Sequence, residues 1–407
     1  MSANQLSLHP LRRERLPKGW QLLPVGKVLV DSQYGTNTSA SENGNTNVLG
    51  MKDIQNGSIL TTNLICANLS KEERSKYILK KGDILINRTN SYDLVGKVGI
   101  FDSDDEVVFA SYLVRLKVNE KLIIPEFLNY WLNSYSAQKT IKRIATRAVG
   151  QANINPTEFK KHCFVPVPPL FEQKEIVSLL KCCSSVIEKI EQLITAKEKQ
   201  FTWLIKTLIS GQCEQWEHLR AEELFDNVTE KHHPEEELLS VTQDRGVIPR
   251  RMLEGRVMSP EGSTSSYKLV QEGDFVISLR SFQGGIEYSR YRGIVSPAYT
   301  ILRPKVVLHD EFYRHFFKSY IFIEKYLRIA VIGIRDGKQI SIQDFLTIKI
   351  PYPSMEQQQI IAEVLNTAQQ EINLLKRLAD SYRKQKRGLM QKLLTGQWQV
   401  NTDKEAF

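Results

Sequence analysis

The sequence predicts an α+β chain. Two globular blocks of mixed strand and helix, in pseudo-twofold arrangement, are separated by two long antiparallel helices that form a coiled coil. Three observations carry this. A junction is written twice, as VPVPPLFEQKEI at 165–176 and KIPYPSMEQQQI at 349–360. Each junction runs into a long helical pattern. Each pattern stops at one signature, TLISGQ at 207–212 and KLLTGQ at 392–397. A repeat of this kind decides the architecture before any local pattern does. Two diverged modules, each tied to a rigid rod, are built to touch two sites at a fixed distance.

The repeat divides the chain in order: a first block at 1–168, a first long helix at 169–211, a second block at 212–353, a second long helix at 354–397 and a tail at 398–407. Gly82-Asp83 and Gly273-Asp274 match at an offset of 273 − 82 = 191, as do Asp53 and Asp244. WQLL at 20–23 matches WEHL at 216–219. At the junctions, Glu172-Gln173 pairs with Glu356-Gln357 at 356 − 172 = 184, and Gly211 with Gly396 at 396 − 211 = 185. Loops absorb insertions that helices do not, so the offset drifts inside the blocks.

In the first block, KVLV at 27–30, DILINR at 83–88, VGKVGIF at 95–101 and VVFASYLVRLKV at 107–118 read as strands. A helical stretch begins at Pro125. The second block repeats this order with DFVISLR at 274–280, AYTILRPKVV at 298–307 and a helical stretch from Asp310. Acidic residues open these helices, as the helix dipole favours.

The first rod has no Gly or Pro from 172 to 210. Ile176, Leu180, Cys183, Ile187, Ile190, Ile194, Phe201, Leu204 and Leu208 form a heptad stripe broken at Lys197. In the second rod, Ile361, Ala368, Leu375, Tyr382 and Leu389 repeat every seven residues, flanked by Val364, Leu365, Ile372, Leu378 and Leu393. Pro168-Pro169 suits the first entrance, and Ser354 with Gln357 reads as a capping box at the second. Gly211 suits a helix exit, whereas Gly388 is a weak point inside its helix.

Composition narrows the function. At 407 residues with 41% hydrophobic content, the chain builds two or three cored domains. No apolar stretch is long enough to span a membrane, and Arg12, Arg13 and Arg15 precede no secretory segment. Five cysteines without framework spacing point to reduced thiols and a cytoplasmic protein. A formal charge of +9 favours a polyanion.

Polar and basic loops at matching places could meet that polyanion. Arg88, Thr89, Asn90, Ser91 and Tyr92 follow a strand end, with Lys97 close by. Arg147, Gln151 and Asn153 sit in the Gly-containing loop RAVGQANIN. In the second block, Arg280, Ser281, Phe282 and Gln283 hold the first position, with Arg290, Tyr291 and Arg292 just beyond. Arg335, Lys338 and Gln339 hold the second. Arg and Lys pair with guanine and Asn and Gln with adenine through base-edge hydrogen bonds, while other basic groups hold phosphates.

Catalytic patterns are missing. Asn155-Pro156-Thr157 is not the Asn-Pro-Pro-aromatic arrangement of amino-methyltransferases. Gly96-Lys97 and Gly337-Lys338 lack the remainder of a phosphate-binding loop. His162-Cys163, Cys182-Cys183 and His232-His233 lack zinc-ligand spacing.

The chain resembles the specificity subunit of a type I restriction–modification enzyme. The resemblance rests on LPKGWQLLPVGKV, KKGDILINRTNS, GQANINPTEFKKHCFVPVPPLFEQKEI and TLISGQ, then on QEGDFVISLRS, GKQISIQDFLTIKIPYPSMEQQQII and KLLTGQW. It covers essentially the whole chain. One departure is Ser341-Ile342-Gln343, which replaces the Asn155-Pro156-Thr157 version. The resemblance implies two target recognition domains, each reading half of a bipartite double-stranded DNA site, with the helices as a ruler across an unread gap. It implies docking of two methyltransferase subunits at the helices and junctions, around Glu172, Gln173, Glu356 and Gln357, with restriction (translocase and nuclease) subunits joining them. It further implies a chain that is not itself an enzyme and carries no cofactor, with S-adenosylmethionine, ATP and magnesium on the partner subunits. A non-catalytic coiled-coil adaptor that recruits protein partners is the alternative, and a fused nuclease or methyltransferase the third reading.

Overall fold

The computed structural model describes residues 16–148, 150–253, 264–278, 286–332 and 339–400. Contacts group the chain into two compact units, Met1–Lys189 with Ala379–Phe407, and Ile190–Leu378. Each unit holds one block and a portion of both long helices. The five segments follow chain order, whereas the contact units cut through the helices, because each helix packs on a different block at its two ends.

The first unit is built on a mixed six-stranded sheet. In chain order its strands begin with β1 (Gln21–Pro24), β2 (Leu29–Tyr34), β3 (Thr46–Leu49), β4 (Ile54–Gln55), β5 (Ser58–Ile59) and β6 (Ile65–Ala67). After helix α1 (Lys71–Tyr77) come β7 (Ile84–Asn87), β8 (Thr89–Asn90), β9 (Val98–Ile100), β10 (Val107–Phe109) and β11 (Leu113–Val118). The main sheet runs β2-β11-β7-β9-β5-β4, and β10-β3-β6 forms a second sheet. The run at 107–118 is two strands because Leu113 N–H donates to the Ala110 carbonyl and turns the chain between them.

Helices α2 (Pro125–Leu132) and α3 (Tyr135–Ile144) cover the main sheet. One helix was expected there. Ser134 splits it, because its hydroxyl accepts from Ala137 N–H and starts a new helix. Strands β12 (Thr146–Ala148) and β13 (Gln151–Asn153), helix α4 (Pro156–His162) and strand β14 (Phe164–Val167) follow. The first strand of the block pairs with the last, β1 with β14, next to the long helix α5 (Leu170–Ile205).

The second unit repeats this frame. Strand β15 (Glu217–Arg220), helix α6 (Ala221–Leu224) and strands β16 (Phe225–Val228), β17 (Leu239–Thr242), β18 (Gly246–Pro249) and β19 (Lys268–Val270) come first. Then come β20 (Phe275–Ser278), β21 (Glu287–Tyr288), β22 (Gly293–Val295), β23 (Tyr299–Pro304) and helix α7 (Asp310–Lys318). Strands β24 (Val331–Ile332) and β25 (Gln339–Ile340), helix α8 (Ile342–Thr347), strand β26 (Lys349–Tyr352) and long helix α9 (Met355–Leu394) complete it. The sheet order is β16-β23-β20-β21, and β15 pairs with β26 as β1 does with β14. The helical stretch expected from Asp310 stops at Lys318. There the Ser319 hydroxyl accepts from Phe322 N–H and begins a wider five-residue turn.

The Gly-Asp pairs explain themselves as turns. Gly82 and Gly273 have φ of +88° and +94°. In the same turns Asp83 accepts from Lys80 N–H at 2.9 Å and Asp274 from Gln271 N–H at 2.7 Å. The turn needs a residue tolerant of left-handed φ followed by a short acceptor. The Asp53 and Asp244 match does not extend to structure. Asp53 is buried and accepts from Gly50 N–H at 2.8 Å, while Asp244 is exposed on a turn.

At 36 and 40 residues, α5 and α9 are about 54 and 60 Å long. In the first unit Ile176, Val177 and Leu180 share a core with Leu393 and Leu394. In the second, Phe201, Leu204, Leu208 and Ile209 share a core with Ile361, Ala362 and Leu365. Within that unit the helices run antiparallel, with Lys197 bound to Glu371 at 2.8 Å and Lys376 to Glu198 at 2.7 Å. Lys197, which breaks the stripe, thus keeps its seam position and carries its ammonium out to a carboxylate.

Three members of the second stripe point outward instead. Val364, Leu378 and Tyr382 are exposed, and the buried seam runs through Leu365, Ile372, Ala379 and Leu393. Small Ala379 was invisible as a core residue because its spacing, and not its size, places it there. Helix α9 passes through Gly388 without a break. The first helix ends in a wide turn at Lys206–Ser210, and Gly211 there is right-handed, whereas Gly396 takes φ +72°.

Candidate nucleic-acid interface

Strand β7 is buried along its length and ends at Asn87, whose side chain accepts from Thr89 N–H at 3.3 Å. The chain swerves there, and β8 leaves the main sheet to join another. The β12-β13-β8 sheet pairs Asn153 with Thr89 and Ala152 with Asn90, and on its far side pairs Thr146 with Asn153 and Arg147 with Ala152. Two loops some sixty residues apart in sequence, by the difference 147 − 88 = 59, therefore form one antiparallel patch.

Within that patch the expected residues divide by role. The Thr89 hydroxyl donates to Asn153 Oδ1 at 2.6 Å, and Thr89 is buried. This pair fastens the patch, with Asn153 half-buried beside it. Arg88, Ser91, Tyr92, Lys97, Arg147 and Gln151 keep solvent-facing surface, and Asn90 is half-buried. Asn90 Oδ1 accepts from Ser91 N–H at 2.8 Å and shapes the loop beyond β8. The Arg147 guanidinium lies 3.6 Å from the centre of the Tyr92 ring, and Lys142 donates to the Tyr92 and Asp93 carbonyls at 2.6 Å each.

The sequence reading passed over two tyrosines here. Tyr34, 47% exposed at the end of β2, carries the Arg88 guanidinium 4.9 Å above its ring centre. Tyr112 is 50% exposed, and its carbonyl accepts from Arg88 N–H at 3.0 Å. A sequence signal existed: Tyr34 closes a strand and opens the polar run GTNTSASENGNTN at 35–47.

In the second unit, Arg280, Ser281, Phe282, Gln283, Arg335 and Lys338 lie outside the described residues, as does the side chain of Gln339. Strands β24 and β25 pair in the same place in the chain order as β12 and β13. Arg290 is exposed. It is ion-paired to Glu311, and that hydrogen bond holds the guanidinium more firmly protonated than usual. Burial alone would raise the Glu311 carboxyl, but the Arg290 and Arg314 guanidiniums hold it below the usual carboxylate range. Arg292 is bound to Glu236 at 2.7 Å, and the Tyr291 ring packs against a core that includes Val247 and Ile301.

The junction residues also divide. Gln173 is fully buried. It accepts from Ile124 N–H at 2.9 Å and donates to the Leu122 and Pro168 carbonyls at 2.9 and 2.8 Å. The whole amide is thus spent on the chain's own backbone, which leaves Glu172 as the more accessible of the two residues. Its counterpart is Gln358, offset 358 − 173 = 185, which is fully buried, accepts from His309 N–H at 2.9 Å and donates to the Pro353 carbonyl at 2.8 Å. The junction register is therefore 185 and not 184, the same as for Gly211 and Gly396. Glu172 accepts from the Trp20 indole at 2.8 Å, Gln357 completes the Ser354 capping box, and Glu356 is exposed.

The chain matches the family model described as the type I restriction modification DNA specificity domain twice, over residues 17–198 and 214–381. A Methanocaldococcus jannaschii protein provisionally named the type I restriction enzyme MjaX specificity subunit is 28% identical over 361 residues, covering 82% of this chain and 83% of its own. The StySPI specificity subunit of Salmonella potsdam is 29% identical over 45% of this chain and 40% of its own. Among solved structures, the type I restriction–modification S subunit from M. genitalium superposes with a TM-score of 0.54 at 16% identity, over 94% of this chain and 97% of its own. A chain from work on complex assembly and conformational transition in a type I system gives 0.57 at 15% identity, over 94% and 100%. At these identities the two structures establish a shared fold. Among the described residues, no helix is long and apolar enough to cross a membrane.

Proposed function

Because the chain belongs to the type I restriction–modification DNA specificity family, with two target recognition domains, we propose that its two blocks read separate halves of one bipartite duplex site. The observation that carries this is the β12-β13-β8 patch, which brings Arg147 and Asn90 onto one face across Ala152, with Arg88 and Gln151 on the adjoining residues of the same two loops. Guanidinium and amide groups on a rigid strand edge can enter a groove and pair with base edges, and Lys97 is placed to hold phosphate. Helices α5 and α9 set the unread gap between the half-sites.

The chain does no chemistry of its own. Two methyltransferase subunits bring S-adenosylmethionine, and restriction subunits bring ATP and magnesium, all working in the cytoplasm. Glu172, Glu356 and Gln357 stand at the ends of the long helices where such subunits would dock. Methylome sequencing of cells expressing this chain with its neighbouring methyltransferase tests the reading. A modified motif in two parts around an unspecified gap is expected. A single continuous motif, or no new methylation, would overturn it.

A further inference from the structure

We propose that Tyr34 and Tyr92 are positioning residues that hold Arg88 and Arg147 as two preset guanine readers in the first half-site. The inference rests on the reading of the first block as a DNA reader and adds how it chooses bases. A free arginine has many rotamers, and ordering it at the moment of binding weakens discrimination. Here the ordering is already done. Arg88 Nε donates to Thr89 Oγ1 at 3.2 Å, and Thr89 is itself fastened to Asn153 at 2.6 Å. The Tyr34 ring lies 4.9 Å from the guanidinium carbon and supports the fork from one side. Among the described residues, neither terminal nitrogen of Arg88 meets a carboxylate or carbonyl, so the donor pair is left for a ligand.

Arg147 repeats the device from another strand. It lies 3.6 Å from the Tyr92 ring centre, and Lys142 pins the Tyr92 backbone. A fork steadied against an aromatic ring can present two parallel N–H donors, the complement of guanine O6 and N7 in the major groove. Tyr34 stands half-exposed because its ring supports a guanidinium and not a core.

The test is selection from a library randomised in the first half-site, using the complete complex with methyltransferase. The parent is compared with Arg88→Ala, Tyr34→Ala, Tyr34→Phe and Tyr92→Ala. Expected is strong guanine preference at two positions, loss of one in Arg88→Ala, and about three- to tenfold weaker preference at that same position in Tyr34→Ala. Tyr34→Phe keeps the preference, since the ring remains. Tyr92→Ala weakens the other guanine. Preference in the second half-site stays at the parent level in every variant, which also reports intact folding. If Arg88→Ala changes one position and Tyr34→Ala changes none, the positioning role is wrong while the DNA-reading role stands. If Arg88→Ala alters a base other than guanine, the guanine assignment falls. A parent without any bipartite preference refutes the reading beneath it.

Discussion

In the first unit the Trp131 indole donates to the Phe164 carbonyl at 2.8 Å, and in the second the Tyr313 hydroxyl donates to the Pro351 carbonyl at 3.0 Å. Both bonds tie the helix that covers the sheet to the last strand before a long helix. Gln173 and Gln358 tie the same region again. Around these shared tethers the fillings differ. The first core is largely aliphatic, whereas the second stacks Phe225, Phe275, Phe312, Tyr313, Phe316 and Phe317 edge to face. The exposed arginines differ as well. Arg88 and Arg147 lie on tyrosine rings, but Arg290 and Arg292 are bound to glutamates. The comparison teaches that side chains bonded to backbone hold the frame. The packing inside it and the loops at its edge are then free to diverge, and with them the DNA read.

The largest expected effect tests the shared tether. Gln173→Leu orphans one buried N–H and two carbonyls, at roughly 1–3 kcal/mol each, so a loss of about 4 kcal/mol is expected. Gln358→Leu orphans one N–H and one carbonyl, for about 3 kcal/mol. Urea denaturation read with amide exchange at Ile124 and His309 measures both. Losses under about 1 kcal/mol would mean that the frame does not depend on these amides.

Next comes a buried histidine in the second unit. Burial, aided by the Arg314 charge, pushes the His315 imidazole down to about 4 from an ordinary 6.5, and its ring shares Asn366 Oδ1 with Arg314. The folded ring stays neutral while the unfolded ring binds a proton below about 6.5. Stability is therefore full above that pH and lost as pH falls toward 4, by about 3 kcal/mol. Calorimetry of the parent against His315→Gln from pH 7 to 5 should show a steeper decline in the parent. Parallel declines would remove His315 from the account.

The matched aspartates sharpen the comparison at smaller scale. Asp274 is held by Arg303 through two bonds of 2.9 Å. Asp83 sits 3.7 Å from Arg115, and burial raises its carboxyl above the usual range. Asp274→Asn should cost about 2 kcal/mol, because a partly buried guanidinium loses a paired charge. Asp83→Asn should cost more, about 3 kcal/mol, because it leaves the buried Arg115 guanidinium without its carboxylate, whereas Arg303 is more exposed and keeps Glu230 at 3.8 Å. Equal midpoint shifts would contradict the difference. Smallest and opposite in sign is Gly388→Ala. A Cβ there meets nothing within 4 Å, so the change should stabilise α9 by about 1 kcal/mol, seen as a higher melting midpoint.

The sequence carried the frame well, because its landmarks are local. Gly-Asp turns, a Ser-x-x-Gln cap and a heptad stripe need only their own neighbours to be read. Register within the stripe was less legible, since Ala379 buries a methyl while the larger Leu378 faces out. The patch was half legible. Arg88 and Arg147 stood out as basic loop residues, but only the β8–β13 pairing brings them together. Sequence offered no sign that Thr89 and Asn153 would satisfy each other. Nor did it show that Arg290 would find Glu311 at 311 − 290 = 21 residues away.

The central claim is that two independent readers are joined by helices that set their separation. It is tested most directly by inserting one heptad into each long helix at the facing ion pair, after Lys197 and after Glu371. Seven residues keep the seam nearly in phase and add about 10 Å, or about three base pairs. Methylome sequencing should then return both half-sequences unchanged around a gap longer by about three base pairs. An unaltered gap in a folded variant, or a change in either half-sequence, would contradict the account.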